Sequence, residues 1–274
     1  MHILRDLSYF FYKKGLTFPF VEGLKWEKRK GNRGNIMLKI SNLTKHYKGS
    51  DKGVTDVNLH IEAGDIFAFI GHNGAGKTTT LKCVAGIHDY DTGEILVDNT
   101  DCKKEPLVCK NKMAYIPDNP DLYEYLSGIQ YLNFVGDVFG VSAKEREERI
   151  KEYADKFEIT ESLGDLISSY SHGMKQKLAI ISALIHEPKL LLLDEPFVGL
   201  DPKATVILKE IMKSICAKGG AIFFSTHVLD VAERLCNKVA IIKDGKVITS
   251  GKMENIVKDG ATLESIFMEV VDLE

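Results

Sequence analysis

The sequence predicts an α/β fold, a mostly parallel sheet with helices on its faces. Three observations predict it. A short apolar run at 65–70 leads into a glycine-rich loop at 71–78, which opens a helical segment at 79–86 ending at glycine. A second apolar run, Leu190-Leu191-Leu192-Leu193, stops at two acids, Asp194 and Glu195. A third covers 221–225, with helical patterns at 203–217 and 229–236 on either side. Strands alternating with helices are the pattern of βαβ units.

The other elements follow in order. Strands are expected at 38–43 and 54–61, then at 94–97 and 113–116. The stretch 122–170 turns helical. Ser127 can cap a helix through Phe139, and Ser142 with Glu145 forms a capping box that opens a charged helix to about Phe157. Ser171 caps a helix that ends before Glu187-Pro188. Segments 239–242 and 247–249 form a hairpin around Lys243-Asp244-Gly245-Lys246. No internal repeat, heptad array or low-complexity tract interrupts the pattern.

The glycine loop carries the first chemistry. Gly71, His72, Asn73, Gly74, Ala75, Gly76, Lys77 and Thr78 have the G-x-x-x-x-G-K-[ST] spacing of a nucleoside-triphosphate cradle. Gly74 and Gly76 can take backbone angles closed to other residues, so that amides approach phosphate oxygens. Those amides make an anion nest at a helix start. Lys77 supplies a mobile charge for the outer phosphates, and Thr78 a hydroxyl for Mg²⁺. The plain alternative is a glycine-rich turn that happens to precede Lys-Thr; the strand before it and the helix after it speak against that. Asp194 and Glu195 sit where a buried strand ends, the edge at which open α/β sheets bind ligands. Asp194 is placed to hold Mg²⁺, directly or through water, and Glu195 to orient or deprotonate an attacking water.

Bulk properties bound the rest. With 274 residues and 44% hydrophobic content, the chain can build one domain with a subdomain, or two small domains. No stretch approaches the roughly 18 apolar residues that span a bilayer, and no secretory signal is evident at the start. Five scattered cysteines without a C-x-x-C pair fit reduced thiols better than a disulfide frame or a zinc site. Within 1–36, eight Lys and Arg face three acids, a surplus of five, so the net charge of −3 leaves −8 on the remainder. An acidic body argues against nucleic acid as the main partner. The basic, aromatic-laced start suits anionic lipid or a partner. A blander account also exists. Residues 28–34 are rich in Arg, Lys, Gly and Asn, which purine-rich codons encode, as a ribosome-binding site read in frame would be. The expectation is that Met37 begins the native protein and that 1–36 is an over-called extension.

Together these motifs resemble the ATP-binding cassette ATPases that drive membrane transporters, over 37 to about 269. Tyr170-Ser171-His172-Gly173-Met174 falls where that family has its Leu-Ser-Gly-Gly-Gln signature; Ser171 and Gly173 match, while Tyr170, His172 and Met174 depart. Ser171 as a helix N-cap, with amides behind it, suits anion binding. The resemblance implies a P-loop core with a mostly parallel sheet, an antiparallel β-subdomain and a helical subdomain at about 122–172, all within 37–274. It implies that ATP and Mg²⁺ bind, with Thr79 beside the loop in the nucleotide set and Tyr47 stacked on adenine. It makes His227 the switch histidine at the γ-phosphate and Gly199-Leu200-Asp201 the D-loop. It gives Glu195, His227 and Lys77 the catalytic roles, and has Ser171 and Gly173 close over nucleotide held by a second cassette. Asp118 stands where the family usually has a metal-ligating glutamine. It keeps a hard oxygen for Mg²⁺ but loses the amide donor, and Asn119 is an open alternative for that donor. The implied protein is the ATP-hydrolysing subunit of an exporter, peripheral on the cytoplasmic membrane face, with a separate permease, a second cassette and no nucleic acid. The subgroup rests on the Tyr-Ser-His-Gly-Met signature and on the ending at 263–268. A cassette ATPase acting on ribosomes or DNA is the alternative.

Overall fold

The computed structural model describes residues 35–49, 52–258 and 260–272; the basic segment 1–34 lies outside the described residues, as does the unit formed by 1–30. A six-stranded sheet forms the centre. Its strands are β3 (Ile66–Ile70), β6 (Met113–Ile116), β7 (Leu190–Asp194), β8 (Ala221–Thr226), β9 (Lys238–Lys243) and β10 (Lys246–Lys252), in the order β10-β9-β3-β8-β7-β6. All pairings are parallel except β9 with β10. Every residue of β3, β7 and β8 is buried, which is why these strands read as continuous apolar runs. Alternate residues feed two cores. Phe67, Phe69, Leu190, Leu192 and Phe223 face one, and Ala68, Ile70, Leu191, Leu193 and Phe224 the other.

The first core is closed by a four-stranded antiparallel sheet of β1 (Ile36–His46), β2 (Gly53–Glu62), β4 (Thr92–Val97) and β5 (Thr100–Asp101), in the order β2-β1-β4-β5. Strand β1 continues beyond Leu43 because the register shifts between Ile40 and Leu43. Asn42 takes a φ of 51° there, and its amide donates to Asp56 Oδ1 at 2.7 Å. The other core is closed by helices. These include α3 (Gly128–Val138), α4 (Ala143–Phe157), α5 (His172–Leu184), α6 (Pro202–Ala217) and α7 (Leu229–Leu235), joined by 3₁₀ turns at Thr160–Gly164 and Ile167–Ser169.

Four differences from the sequence expectation have physical causes. Helix α1 (Lys77–Val84) begins two residues earlier than the pattern suggested, because Lys77 is already helical behind Gly76. The reciprocal capping box belongs to Ser127 and Gln130, whose side chain accepts from Ser127 N–H at 2.9 Å. At Ser142 the cap is one-sided. Glu145 N–H donates to Ser142 Oγ, but the Glu145 carboxylate takes the Ser142 hydroxyl at 2.6 Å instead of its backbone amide. Strand β5 and the short helices α2 (Pro106–Lys112) and α8 (Met253–Ile256) were not expected. Each is too short to show a period.

Candidate functional site

The carboxyl ends of β3, β6, β7 and β8 share one edge of the parallel sheet. From them emerge the glycine loop, Asp118, Glu195 and His227 respectively. The loop is pinned from below. A Cβ on Gly71 would lie 2.5 Å from the Ile242 carbonyl oxygen, and Gly76, at φ 110°, would put one 2.5 Å from Val54 Cγ1. Helices α3, α4, α5 and α6 are each capped by a side chain, from Ser127, Ser142, Ser171 and Asp201. No side chain caps α1. Its first-turn amides, with the positive end of the dipole, are left to an anion.

That helix start opens into a cavity of about 410 Å³. Tyr47, His72, Asn73, Gly74, Gly76, Lys77, Thr78 and Thr79 line it, with Asp118, Asp194 and Glu195 as its acidic wall. Asp118, not Asn119, faces the cavity. Gly71 and Ala75 are buried behind the loop. The Tyr47 hydroxyl is 3.3 Å from Thr79 Oγ1 and its ring meets His88 edge-on at 5.9 Å. Lys52 and Gly53 also line the cavity, and nothing in their surroundings in the sequence signals it.

Buried charge is concentrated at the floor. Lys77 is 6% exposed; its Nζ donates to Gly71 O at 2.6 Å and lies 3.4 Å from Glu195 Oε1. Glu195 Oε2 accepts from His227 N–H at 3.3 Å and lies 3.0 Å from His227 Nδ1. Glu195 itself has a φ of 47°, a conformation unusual for a side chain with a Cβ. It is held there because its N–H donates to both the carbonyl and the hydroxyl of Ser225, each at 3.2 Å. The Ser225 hydroxyl in turn donates to Asp194 Oδ1 at 2.5 Å, and Tyr115 reaches Oδ2 at 3.5 Å. Burial, then Asp194, holds the Tyr115 phenol well above its usual range, so it remains a donor. Ser225 and Tyr115 escaped the sequence reading. Asp194 and Ser225 are register partners on β7 and β8, a pairing one sequence does not display.

Partial burial, followed by the charges of Asp194 and Glu195, raises the Asp118 carboxyl above its ordinary value of 3.8. A carboxyl with a raised folded-state value disfavours folding once ionised. The penalty is absent below 3.8 and complete above the raised value. Asp118→Asn is therefore expected to raise the melting temperature of the nucleotide-free protein at neutral pH. The difference should vanish below pH 3.8, as thermal melts across that range would record.

The ABC transporter family profile matches residues 54–198, more than half of the chain. The chain belongs to the ABC transporter family. An uncharacterised ABC transporter ATP-binding protein of Methanocaldococcus jannaschii is 35% identical over 227 residues, covering 83% of this chain and 82% of that protein. Among solved structures, the ATP-binding subunit of an ABC transporter superposes with a TM-score of 0.81 at 34% identity, over 85% of this chain and 99% of that one. An ATP-binding cassette in a dimeric post-hydrolysis state, bound to ADP and Pi, gives 0.72 at 25% identity, over 80% and 99%. The fold is that of an ABC ATPase cassette.

In this ABC protein Ser171 and Gly173 do not line the cavity, although His172 between them is near enough to act electrostatically on Asp118. Ser171 is exposed at the start of α5 and accepts from Met174 N–H at 3.3 Å. Tyr170, a departure from the usual leucine, is instead core. It is 5% exposed, and its hydroxyl donates to Ser162 O at 2.5 Å. His172 packs over Gly199, where a Cβ would fall 2.5 Å from the ring, and a Cβ on Gly173 would meet Gly199 O at 3.0 Å. Asp201 caps α6 and pairs with Lys177 at 2.7 Å. The segments 171–177 and 199–201 are thus packed together within one chain.

Proposed function

We propose that this ABC protein hydrolyses MgATP between two cassettes and couples the reaction to export through a separate permease. The observation that carries the reading is the joined set Lys77–Glu195–His227 facing the uncapped start of α1. A base, a cation and a histidine converge where a terminal phosphate would enter. Lys77 is tethered to Gly71 O and Glu195, so binding phosphate means exchanging the Glu195 contact for phosphate oxygens. That exchange frees Oε1 to accept a proton from water, while Oε2 stays with His227. Preorganised charge of this kind acts strongly in a partly dry site.

The donor set fits a hard cation. Asp194 is buried between two hydroxyls, and the Asp118 anion is disfavoured by burial and then by neighbouring carboxylates, whose charge a dication would offset. Among the described residues no group of three or more His, Cys, Asp or Glu side chains is placed to hold a metal alone. Thr78, Asp194 and Asp118 would hold Mg²⁺, which neutralises developing phosphate charge.

Ser171 and Gly173 do not line their own chain's cavity, which suits a role against the nucleotide of a second cassette. Ser171→Arg is expected to leave single-chain ATP affinity within about twofold and to abolish ATP-driven dimers, as seen by gel filtration with ATP. Dimers that persist would remove Ser171 from the interface. Among the described residues no helix is long and apolar enough to cross a membrane, and the permease of the proposed transporter is a separate chain. The exporter reading rests on the Tyr-Ser-His-Gly-Met signature and the ending at 263–268, and places the protein on the cytoplasmic membrane face. Pull-down from detergent-solubilised membranes is expected to recover a membrane-spanning partner. Recovery with ribosomes or DNA instead would overturn transport.

A further inference from the structure

The helix α9 (Leu263–Asp272) sets Leu263 and Phe267 in the helical core and makes one further contact, with the glycine loop. Thr262 and Ser265 cap it, each backbone N–H donating to the other's hydroxyl at 3.0 and 3.1 Å. Leu263 N–H donates to Glu233 Oε2 on α7 at 2.7 Å, and the Leu263 side chain is fully buried. One turn on, at the i+4 position that shares a helix face, Phe267 is 7% exposed. Its ring lies 5.0 Å from the ring of His72, tilted by 60°. His72 belongs to the phosphate loop and lines the cavity. Its carbonyl accepts both Ala75 N–H at 3.1 Å and Lys77 Nζ at 3.3 Å.

We propose that Phe267 is a positioning residue for the phosphate loop. It holds the His72 ring, and through it the carbonyl that shapes the loop at Ala75 and steers Lys77. The same helix is bonded to α7, which begins two residues after His227. One rigid element therefore references both the loop and the segment that carries His227. A tilted aromatic pair at this separation contributes enough to matter for loop order. The exposed face of α9, with Met268 half exposed, takes no part.

The inference rests on the nucleotide-binding reading, and one set of measurements separates the two. MgADP affinity is measured by calorimetry, and KM and kcat for ATP by phosphate release. Phe267→Leu keeps the apolar packing and loses the ring. It is expected to weaken MgADP binding and raise KM by about twofold to tenfold, with kcat at saturating ATP within about twofold. Phe267→Tyr restores wild-type values, and Met268→Ala never departs from them. His72→Ala weakens binding to a similar degree, and the double variant is no weaker than the worse single. Wild-type affinity in Phe267→Leu, or additive losses in the double variant, overturns the proposal and leaves the nucleotide reading standing. A wild-type chain that binds neither nucleotide overturns both. Should Phe267→Leu fail to fold, His72→Ala and His72→Phe decide: weakened binding in the first with wild-type binding in the second supports the ring contact with Phe267, and any other pattern ends the proposal.

Discussion

Glu195→Gln is expected to bind ATP and nearly stop turning it over. The amide keeps the size of the carboxylate and an oxygen for the His227 N–H, now 3.3 Å from Oε2, so the turn at φ 47° survives. What it lacks is a lone pair basic enough to take a proton. Positioned general bases typically contribute about 10²–10⁴ in rate, or roughly 3–6 kcal/mol of barrier. Phosphate release should fall by that factor while ATP affinity stays near wild type, and ATP-bound dimers should last longer on gel filtration. Turnover within a few-fold of wild type would show that Glu195 is not the base.

Lys77→Ala should act on binding itself. A hydrogen bond to a charged group is worth about 1.5–3 kcal/mol, so ATP affinity should drop by about tenfold to a hundredfold. The structure adds a second consequence. The ammonium is buried, bonded to Gly71 O at 2.6 Å and ion-paired at 3.4 Å with Glu195 Oε1, which accepts no hydrogen bond among the described residues. Removing it strands a carbonyl and a carboxylate, so the melting temperature should fall too. Calorimetric titration at a temperature well below the melt separates the two effects. Unchanged ATP affinity would refute the role of Lys77.

The two variants differ in how readable their residues were. The Lys77 loop is local: spacing, glycines and the flanking strand and helix all lie within about twenty residues. Glu195 was legible as the residue after a buried strand, but its contacts were not. They come from Ser225, 30 positions away, and His227, 32 away. Asp118 illustrates the limit differently. The sequence marked it as a departure and left Asn119 open; only the fold turned Asp118 into the cavity beside two other carboxylates. The link from Phe267 to His72 joins positions almost two hundred residues apart and had no sequence signal.

By itself the sequence determined the parallel sheet and singled out the glycine loop with Lys77, and Asp194 and Glu195 at a strand end, as candidates; the family resemblance added His227. Each depends on short-range patterns: apolar runs, glycine spacing and caps. Tertiary structure alone decided which of these groups touch. Pairing β7 in register with β8 sets Ser225 against Asp194 and brings His227 to Glu195, and packing the final helix on α7 brings Phe267 to the loop. Register and helix docking are set by the summed fit of two cores, a quantity spread over the whole chain and carried by no segment of it.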